Sequence, residues 1–322
     1  MKKIAVFTSG GDAPGMNACI RAVIRACAHY NVTIYGIHRG FQGLIENDIR
    51  LMDSSSVANI IQLGGTILKT ARSKDFMTFE GRQLAHKNLI QWGIEGLICI
   101  GGDGTYTGAM VFEQEFGLPS IGCPGTIDND LSGTDSTIGY DTAINTAMDA
   151  IDKIRDTADA HNRVFFIEVM GRHSGHIALH AGIAGGAEGI FIPERKDEFE
   201  DIVKMYKKKM RKKEFSIFIV AEGDEEGYAY SIAKRFQNIY PETDCKVAVL
   251  GHIQRGGKPS ANDRILASRL GAHAVKALID GKRNMAVGVI NNHINFAEFK
   301  DAIGNKKDIE ENLWNLNTII TR

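Results

Sequence analysis

Short apolar runs alternate with amphipathic patterns along most of the chain. Runs of strand length occur at residues 4–9, 96–102, 163–171, 216–223 and 246–252, and each ends in Gly or a polar residue. Residues 16–30, 141–161 and 262–281 carry apolar side chains at three- and four-residue spacing, which predicts helices. Strands alternating with helices predict an α/β fold whose parallel sheets are covered by helices.

Composition and length restrict the classes of function. The chain has 322 residues, enough for two domains, and a formal net charge of -1, which gives no global reason to expect nucleic acid or an anionic membrane as a partner. The five cysteines show no C-x-x-C spacing, so buried thiols are expected. No apolar run has the length of a membrane span or a signal peptide. We therefore expect a cytoplasmic protein with small-molecule ligands.

The loops that follow the predicted strands hold most of the candidate chemistry. They read "SGGDAPGMN" (9–17), "GGDGTYTG" (101–108), "PGTIDND" (124–130), "MGRHSG" (170–175), "AEGDEEG" (221–227) and "GHIQRGG" (251–257). In open parallel sheets, ligands bind outside the carboxyl ends of the strands. The first two loops place Gly-Gly-Asp before a helix, where glycine lets a phosphate approach and the helix offers unpaired amides. Tight packing alone also produces such turns, but two of them favour phosphate binding. Neither is a Walker loop or a G-x-G-x-x-G motif.

Acidic and basic side chains in these loops suit phosphoryl transfer to a sugar phosphate. Asp103 is either a magnesium ligand or a helix cap. Asp128 and Asp130 either stabilise a turn or serve as a general base and its neighbour on the metal side. The remaining residues suit a phosphorylated sugar: Arg and His can bind phosphate, and Glu can accept hydrogen bonds from hydroxyl groups. They are Arg172, Glu222, His252 and Arg255.

Two further features suggest a ligand less strongly. His173, His176 and His180 have no nearby carboxylate to complete a metal site, so positioning or packing is expected. The basic run at 204–214 fits a solvated helix face with an apolar stripe, the alternative being an anion site at its end.

Six motifs together resemble the bacterial ATP-dependent branch of the 6-phosphofructokinase family. In family order they are "GGDAPGMN", "GGDGT", "PGTIDND", "MGRHSG", "AEG" and "LGHIQRGG". The resemblance implies transfer of the ATP γ-phosphoryl group to the 1-hydroxyl of fructose 6-phosphate, with Mg²⁺. It also implies a homotetramer of subunits with two Rossmann-like domains and the active site between them. The expected domains are 1–139 plus 253–304, and 140–252 plus 305–322.

The resemblance also implies a role for individual residues. Asp128 is the expected general base, with Thr126 and Asp130 organising its loop. Asp103 is the expected magnesium ligand, and Gly11, Arg72 and Arg172 steady the transferring phosphoryl group. ATP is expected along Gly11, Arg72, Ser73, Gly102, Asp103, Gly104 and Thr105. Fructose 6-phosphate is expected to contact Thr126, Ile127, Asp128, Arg163, Met170, Gly171, Arg172, Glu222, Lys246, His252 and Arg255. Arg163 would reach in from a neighbouring subunit.

The sequence departs from the family pattern at three positions. Lys246 stands where the family usually has an Arg that reaches the sugar phosphate, so the charge is kept but the bidentate fork is lost. Ser54 and Glu214 replace an Arg and a Lys of the effector site, which puts regulation by nucleotide and phosphoenolpyruvate in doubt. The remaining expected effector residues are Arg21, Arg25, Arg155, Gly186, Glu188, Arg211 and Lys213.

Other functions explain less of the sequence. Pyrophosphate-dependent relatives usually carry Asp and Lys in place of Gly104 and Gly125, and both glycines are present here. A non-catalytic nucleotide or sugar-phosphate sensor would be expected to lack the base or the metal ligand, yet Asp103, Asp128 and Arg172 are intact. NAD kinases and lipid kinases would account for "GGDGT" but not for the later motifs.

Overall fold

Contacts between residues divide the chain into two units. The computed structural model describes residues 1–209, 215–223, 228–305 and 307–321. Unit 1 comprises Met1–Ile127, Leu131–Thr142 and Arg255–Lys307, and unit 2 comprises Asp128–Asp130, Ala143–Gln254 and Asp308–Arg322. Each unit is therefore built from separate stretches of the chain.

Strands and helices alternate in both units. The strands are β1 Lys3–Thr8, β2 Thr33–Ile37, β3 Ile49–Met52, β4 Leu97–Gly101, β5 Ser120–Pro124, β6 Val164–Val169, β7 Gly189–Phe191, β8 Ser216–Ala221, β9 Cys245–Val249, β10 Met285–Ile290 and β11 His293–Glu298. The α-helices are α1 Met16–His29, α2 Gly40–Glu46, α3 Phe79–Trp92, α4 Asp103–Phe116, α5 Tyr140–His161, α6 His176–Ala184, α7 Phe199–Lys209, α8 Tyr228–Ile239, α9 Ala261–Ile279, α10 Phe299–Gly304 and α11 Glu311–Ile320. Short 3-10 helices cover Asp75–Met77, Pro193–Glu198 and Gly251–Arg255.

Each unit has one sheet among its described residues. Unit 1 has the strand order β11-β10-β5-β4-β1-β2-β3, and unit 2 has β7-β8-β6-β9. The pairs β1–β2, β1–β4, β4–β5 and β5–β10 are parallel, as are the pairs in unit 2. The predicted α/β class with parallel sheets is therefore confirmed.

The edges of the unit 1 sheet differ from that prediction, because β3 and β11 run antiparallel to their neighbours. At one edge, β10 and β11 are joined by Asn291 and Asn292, whose φ values are 48° and 64°. Two successive residues with positive φ form the hairpin turn that matches the strand twist, and asparagine tolerates that conformation. An antiparallel edge strand on an otherwise parallel sheet therefore needs only a short turn.

Burial explains why the central strands could be read from the sequence. Every residue of β4, β5 and β8 is buried, as expected for strands covered by helices on both faces. Phe7, Phe41 and Phe112 are among the core residues of unit 1, and Phe166 and Phe218 among those of unit 2.

The cysteines are free thiols, and all except the half-buried Cys245 are buried. Burial raises the pKa of Cys27 to about 12. No helix in the described ranges is long and apolar enough to cross a membrane.

The basic run lies partly on α7, which ends at Lys209, and residues 210–214 lie outside the described residues. Tyr206 packs against Phe236 with 4.8 Å between ring centroids, as the apolar stripe predicts.

Candidate active site

The loop after β1 is packed against an arginine from a distant part of the chain. Arg255 donates from its guanidinium group to the carbonyl oxygen of Asp12 at 3.3 Å. A Cβ on Gly11 would lie 2.6 Å from the same guanidinium group, so a side chain at this position would displace the end of Arg255. Two residues predicted from different motifs, Gly11 and Arg255, therefore lie together in unit 1.

The loop after β4 forms an open helix start. Gly102 is the N-cap of α4 and provides no side-chain cap. Asp103 is exposed in the first turn, and a Cβ on Gly104 would have no heavy atom within 4 Å. Thr105 is 2% exposed, and its Oγ1 has no hydrogen-bond partner within the described residues. The first-turn amides, the positive end of the helix dipole and a buried hydroxyl make this turn a suitable anion site.

The loop after β5 lies beside the other two. The amide of Gly125 donates to the carbonyl of Gly101 at 3.0 Å, and the amide of Ser9 donates to Ile100 at 3.0 Å. A Cβ on Gly102 would lie 3.6 Å from the Cβ of Thr126. The ends of β1, β4 and β5 thus bring three predicted loops to one edge of the sheet.

The segment with Arg72 and Ser73 is held by polar side chains that precede it. Asn17 donates from Nδ2 to the carbonyls of Leu63 and Gly64 at 3.1 Å each, and it accepts from the amide of Ile67 at 2.8 Å. Ser73 donates to Gln42 Oε1 at 2.7 Å. Arg72 is exposed. Asn17 belongs to the motif "GGDAPGMN", yet it was not predicted as a site residue because its role depends on a loop fifty residues away.

The carboxyl ends of the strands in unit 2 carry most of the residues predicted to bind the sugar. Backbone atoms at 170–174 are held by side chains from the ends of β8 and β9. The amide of Met170 donates to Gln254 Oε1 at 2.8 Å, and the amide of Arg172 donates to Glu222 Oε1 at 2.9 Å. Arg172 has a φ of 53°, an uncommon conformation for a residue other than glycine. The hydrogen bonds keep this backbone in place.

Asp128 is also held in unit 2. It is 6% exposed, and its carbonyl oxygen accepts a hydrogen bond from Ser174 Oγ at 3.1 Å. Asn129, which follows it, has a φ of 54°, and Asp130 is half-buried. Ile127, by contrast, is fully buried in unit 1. Gln254 and Ser174 were not predicted, although both lie inside the quoted motifs.

Arg163 and Lys246 lie at the amino ends of strands in the unit 2 sheet, opposite the carboxyl ends. They precede or begin β6 and β9, whereas Met170–Arg172, Glu222 and His252 follow the carboxyl ends of the strands. Asp244 pairs with Arg163 at 2.8 Å and with Lys246 at 2.7 Å. Its pKa is lowered by Lys246 and by Arg163. A strand of six residues spans about 20 Å, so these two cations do not join the loop at 170–175 within one subunit.

The predicted effector residues are distributed over both units. Arg21 and Arg25 line a groove of about 350 Å³ between α1 and α9 in unit 1. In unit 2, Arg155 donates to the carbonyls of Gly185 and Gly186, and buried Glu188 accepts from the amide of Ile217 at 2.6 Å. Arg211, Lys213 and Glu214 lie outside the described residues.

The histidines of the "MGRHSG" region do not form a metal cluster in the described part of the chain. His176 is buried, and His180 Nδ1 lies 3.0 Å from the carbonyl oxygen of His176 on the same helix.

Glycine-rich loops at adjacent strand ends, an open helix start and the nearby Arg255 define a class of α/β protein suited to binding phosphate groups. Comparison with known proteins gives the family. Residues 3–278 match the family described as Phosphofructokinase. The chain belongs to this family.

Its relatives match over nearly the full length. It is 54% identical to ATP-dependent 6-phosphofructokinase 2 of Bacteroides thetaiotaomicron over 317 residues, covering 98% of this chain and 97% of the relative. It is 52% identical to ATP-dependent 6-phosphofructokinase 1 of Thermus thermophilus over 321 residues, covering 99% of both. Among solved structures, phosphofructokinase from Saccharomyces cerevisiae matches with a TM-score of 0.89 and 36% identity. That match covers 99% of this chain and 47% of the yeast chain, so this chain spans about half the length of the yeast chain.

Proposed function

We propose that this protein is an ATP-dependent 6-phosphofructokinase that converts fructose 6-phosphate to fructose 1,6-bisphosphate. The observation that carries the proposal is the meeting of Gly11, Gly102–Thr105 and Thr126 at three adjacent strand ends of unit 1. Relatives at 52% and 54% identity that bear this name support it.

The triphosphate of ATP would lie along the starts of α1 and α4. Phosphoryl transfer needs little covalent help from a protein, so positioning and charge stabilisation supply most of the catalysis. Backbone amides at Gly11 and 102–104, the exposed cation of Arg72 and the Thr105 hydroxyl, which has no partner among the described residues, are suitable for this task.

A magnesium ion fits the residues present. Mg²⁺ keeps several waters and is usually bound by one or two carboxylates together with substrate phosphates. Asp103 is an exposed carboxylate in the first turn of α4, beside the amides that would bind those phosphates. Bound there, the ion would neutralise charge on the transferring group. This set of donors supports Asp103 as its single protein ligand.

Asp128 would act as the general base. Its carboxylate would accept the proton from the 1-hydroxyl of the sugar as that oxygen bonds to the γ-phosphorus and the bond to ADP breaks. Its burial and the contact from Ser174 to its backbone support a fixed position. Thr126, Asp130 and Arg172 would position the loop and the phosphoryl group.

The proposed ligands of the sugar phosphate are Met170–Arg172, Glu222 and His252 of unit 2 and Arg255 of unit 1. Glu222 already accepts the amide of Arg172 through Oε1, which leaves its second carboxylate oxygen for a sugar hydroxyl. Arg163 and Lys246 lie at the amino ends of the strands, away from the loop at 170–175 of the same subunit. They would therefore bind the sugar phosphate of a neighbouring subunit. This geometry supports a homo-oligomer, and the family resemblance supports a tetramer.

A pyrophosphate-dependent enzyme of the same family is the closest alternative. A Cβ at position 104 would have no heavy atom within 4 Å, whereas a Cβ on Gly125 would contact Met16 and Ile100 at 3.0–3.1 Å. The side chains that pyrophosphate-dependent relatives usually carry are absent at both positions. ATP is therefore the proposed donor.

One experiment tests both proposals. Fructose 1,6-bisphosphate formation is measured with ATP and with pyrophosphate, each with and without magnesium, and the variant Asp128→Asn serves as the control. We expect product only with ATP and magnesium. Product with pyrophosphate alone would show that pyrophosphate, and not ATP, is the donor. No product with either donor would contradict the proposed function.

A further inference from the structure

Asp263 is a buried carboxylate that lies outside the six motifs. It lies in the first turn of α9 and is 1% exposed. Its Oδ1 accepts from the amide of Gly139 at 2.8 Å, and its Oδ2 accepts from the amide and the hydroxyl of Thr142 at 2.8 and 2.5 Å. A buried carboxylate is costly unless such donors surround it. The arrangement therefore binds residues 139–142 firmly to α9.

The two helix starts cap each other. Asp263 satisfies amides at the start of α5, while Thr142 Oγ1 accepts from the amide of Ser260, the N-cap residue of α9, at 2.9 Å. Ser260 Oγ in turn donates to Asp141 at 2.5 Å and accepts from the amide of Asp263 at 3.2 Å. Because the start of each helix is capped by the other, we expect a change at Asp263 to loosen residues 139–142.

Residues 137–139 hold the backbone that leads to Asp128. The amide of Ile138 donates to the carbonyl of Pro124 at 2.8 Å, and Thr137 Oγ1 donates to the carbonyl of Thr126 at 2.6 Å. A Cβ on Gly139, whose φ is 100°, would lie 3.2 Å from Ile127. The segment is thus packed closely along 124–127.

We propose that Asp263 is a positioning residue that, through residues 137–142, fixes Pro124–Ile127, the backbone that leads into Asp128. The inference that Asp263 supports this backbone follows from these contacts alone. The inference that the support affects turnover rests on the proposed function. A displacement of about 1 Å at a reacting group costs on the order of a hundred-fold in rate, so a loosened support is sufficient to reduce turnover.

The competing explanation is that Asp263 only stabilises the fold. In that case its loss would lower the thermal midpoint without changing the turnover of the folded enzyme. Asn88 provides a matched control, because it is 6% exposed in unit 1 and donates to the carbonyls of Leu44 and Ile45 at the end of α2.

The test compares Asp263→Asn, Thr137→Val, Thr137→Ser and the control Asn88→Ala. Asp263→Asn replaces an acceptor by an amide group that faces donors, and Thr137→Val removes only the hydroxyl that reaches Thr126. Two readouts are measured: hydrogen exchange of the peptide that covers 124–130, and the separate values of kcat and KM for ATP.

We expect Asp263→Asn and Thr137→Val to speed exchange in 124–130 at least tenfold and to lower kcat about tenfold or more, with KM for ATP changed less than about threefold. Thr137→Ser should retain wild-type values, and Asn88→Ala should change neither readout. The double variant of 263 and 137 should lose little more kcat than the worse single variant, because both act on one support.

Wild-type exchange in 124–130 for both Asp263→Asn and Thr137→Val would overturn the proposal, as would full additivity of the two kcat losses. If Asp263→Asn does not fold, Thr137→Val against Thr137→Ser decides by the same two readouts. If the wild-type protein forms no fructose 1,6-bisphosphate, the proposed function fails, while the exchange comparison still decides whether Asp263 supports the loop.

Discussion

Gly104→Asp should make the protein more stable and a poorer enzyme with ATP. Gly104 is exposed at the second position of α4, and a Cβ there would meet no heavy atom within 4 Å. The substitution therefore adds a carboxylate without displacing a neighbour. Its two effects have opposite signs because stability depends on the helix, whereas affinity depends on the ligand.

The stability gain follows from helix chemistry. Glycine inside a helix is less favourable than alanine by roughly 1 kcal/mol, and aspartate is somewhat better than glycine. A negative charge in the first turn adds about 0.3–1 kcal/mol through the helix dipole. Repulsion from Asp103 removes part of this, which leaves a net gain of about 0.5–1 kcal/mol. The thermal midpoint should rise by roughly 1–3 °C.

The loss of affinity follows from Coulomb repulsion. A unit charge about 6 Å from a phosphate charge is repelled by roughly 3 kcal/mol at an effective dielectric of 20. Screening at an exposed position reduces this to roughly 1–2 kcal/mol, so KM for ATP should rise about 5- to 30-fold.

Gly104→Asn is the control, because it has nearly the same shape without the charge. We expect it to raise KM for ATP much less, and we expect only the Gly104→Asp deficit to shrink with added salt. If Asn raises KM as much as Asp, the effect is steric. If neither raises it, the phosphates of ATP do not approach this helix start.

Four more outcomes are expected. Asp128→Asn should lower kcat by roughly a hundred- to ten-thousand-fold with little change in either KM, and near-normal turnover would remove Asp128 from the mechanism. Lys246→Arg should lower KM for fructose 6-phosphate but not for ATP, since a second donor is gained, and an unchanged value would mean that this side chain does not reach the phosphate. Lys69 has a φ of 59°, which glycine adopts without strain, so Lys69→Gly should raise the free energy of unfolding in urea by about 0.5–1 kcal/mol. A lower urea midpoint would show that the backbone at this position is not strained. ADP and phosphoenolpyruvate should shift half-saturation by fructose 6-phosphate only weakly because Ser54 and Glu214 remove positive charge, and a large shift in saturation curves would contradict this.

The central part of the fold could be predicted because its strands are buried on both faces. In β4 and β8 every residue is apolar, or small enough to be buried, so the sequence shows an uninterrupted run that ends at a loop. The edge strand β11 has half-buried side chains between exposed ends, and β3, the strand at the other edge, is only four residues long. Neither strand forms the uninterrupted buried apolar run that marks the central strands.

The residues of the candidate site also divide into those that the sequence predicts and those that it does not. Gly11, Asp103 and Asp128 lie in short motifs whose composition already indicates phosphate chemistry, so sequence reasoning reaches them. The contact between Gly11 and the guanidinium group of Arg255 is not revealed by the motif, because Arg255 is 244 residues away in the sequence.

The supports of the site could not be predicted, since their partners are distant in sequence. Asp263 and Thr137 lie outside the motifs, and an Asp at the start of a helix reads first as a cap of that helix. In the structure the N-cap of α9 is Ser260, whereas Asp263 accepts from Gly139 and Thr142, more than 120 residues earlier. A local pattern indicates which residue types meet the ligand, because that chemistry limits the choice of side chain. Which residues hold the loop depends on tertiary packing, where any acceptor with suitable geometry is sufficient, so only the structure reveals them.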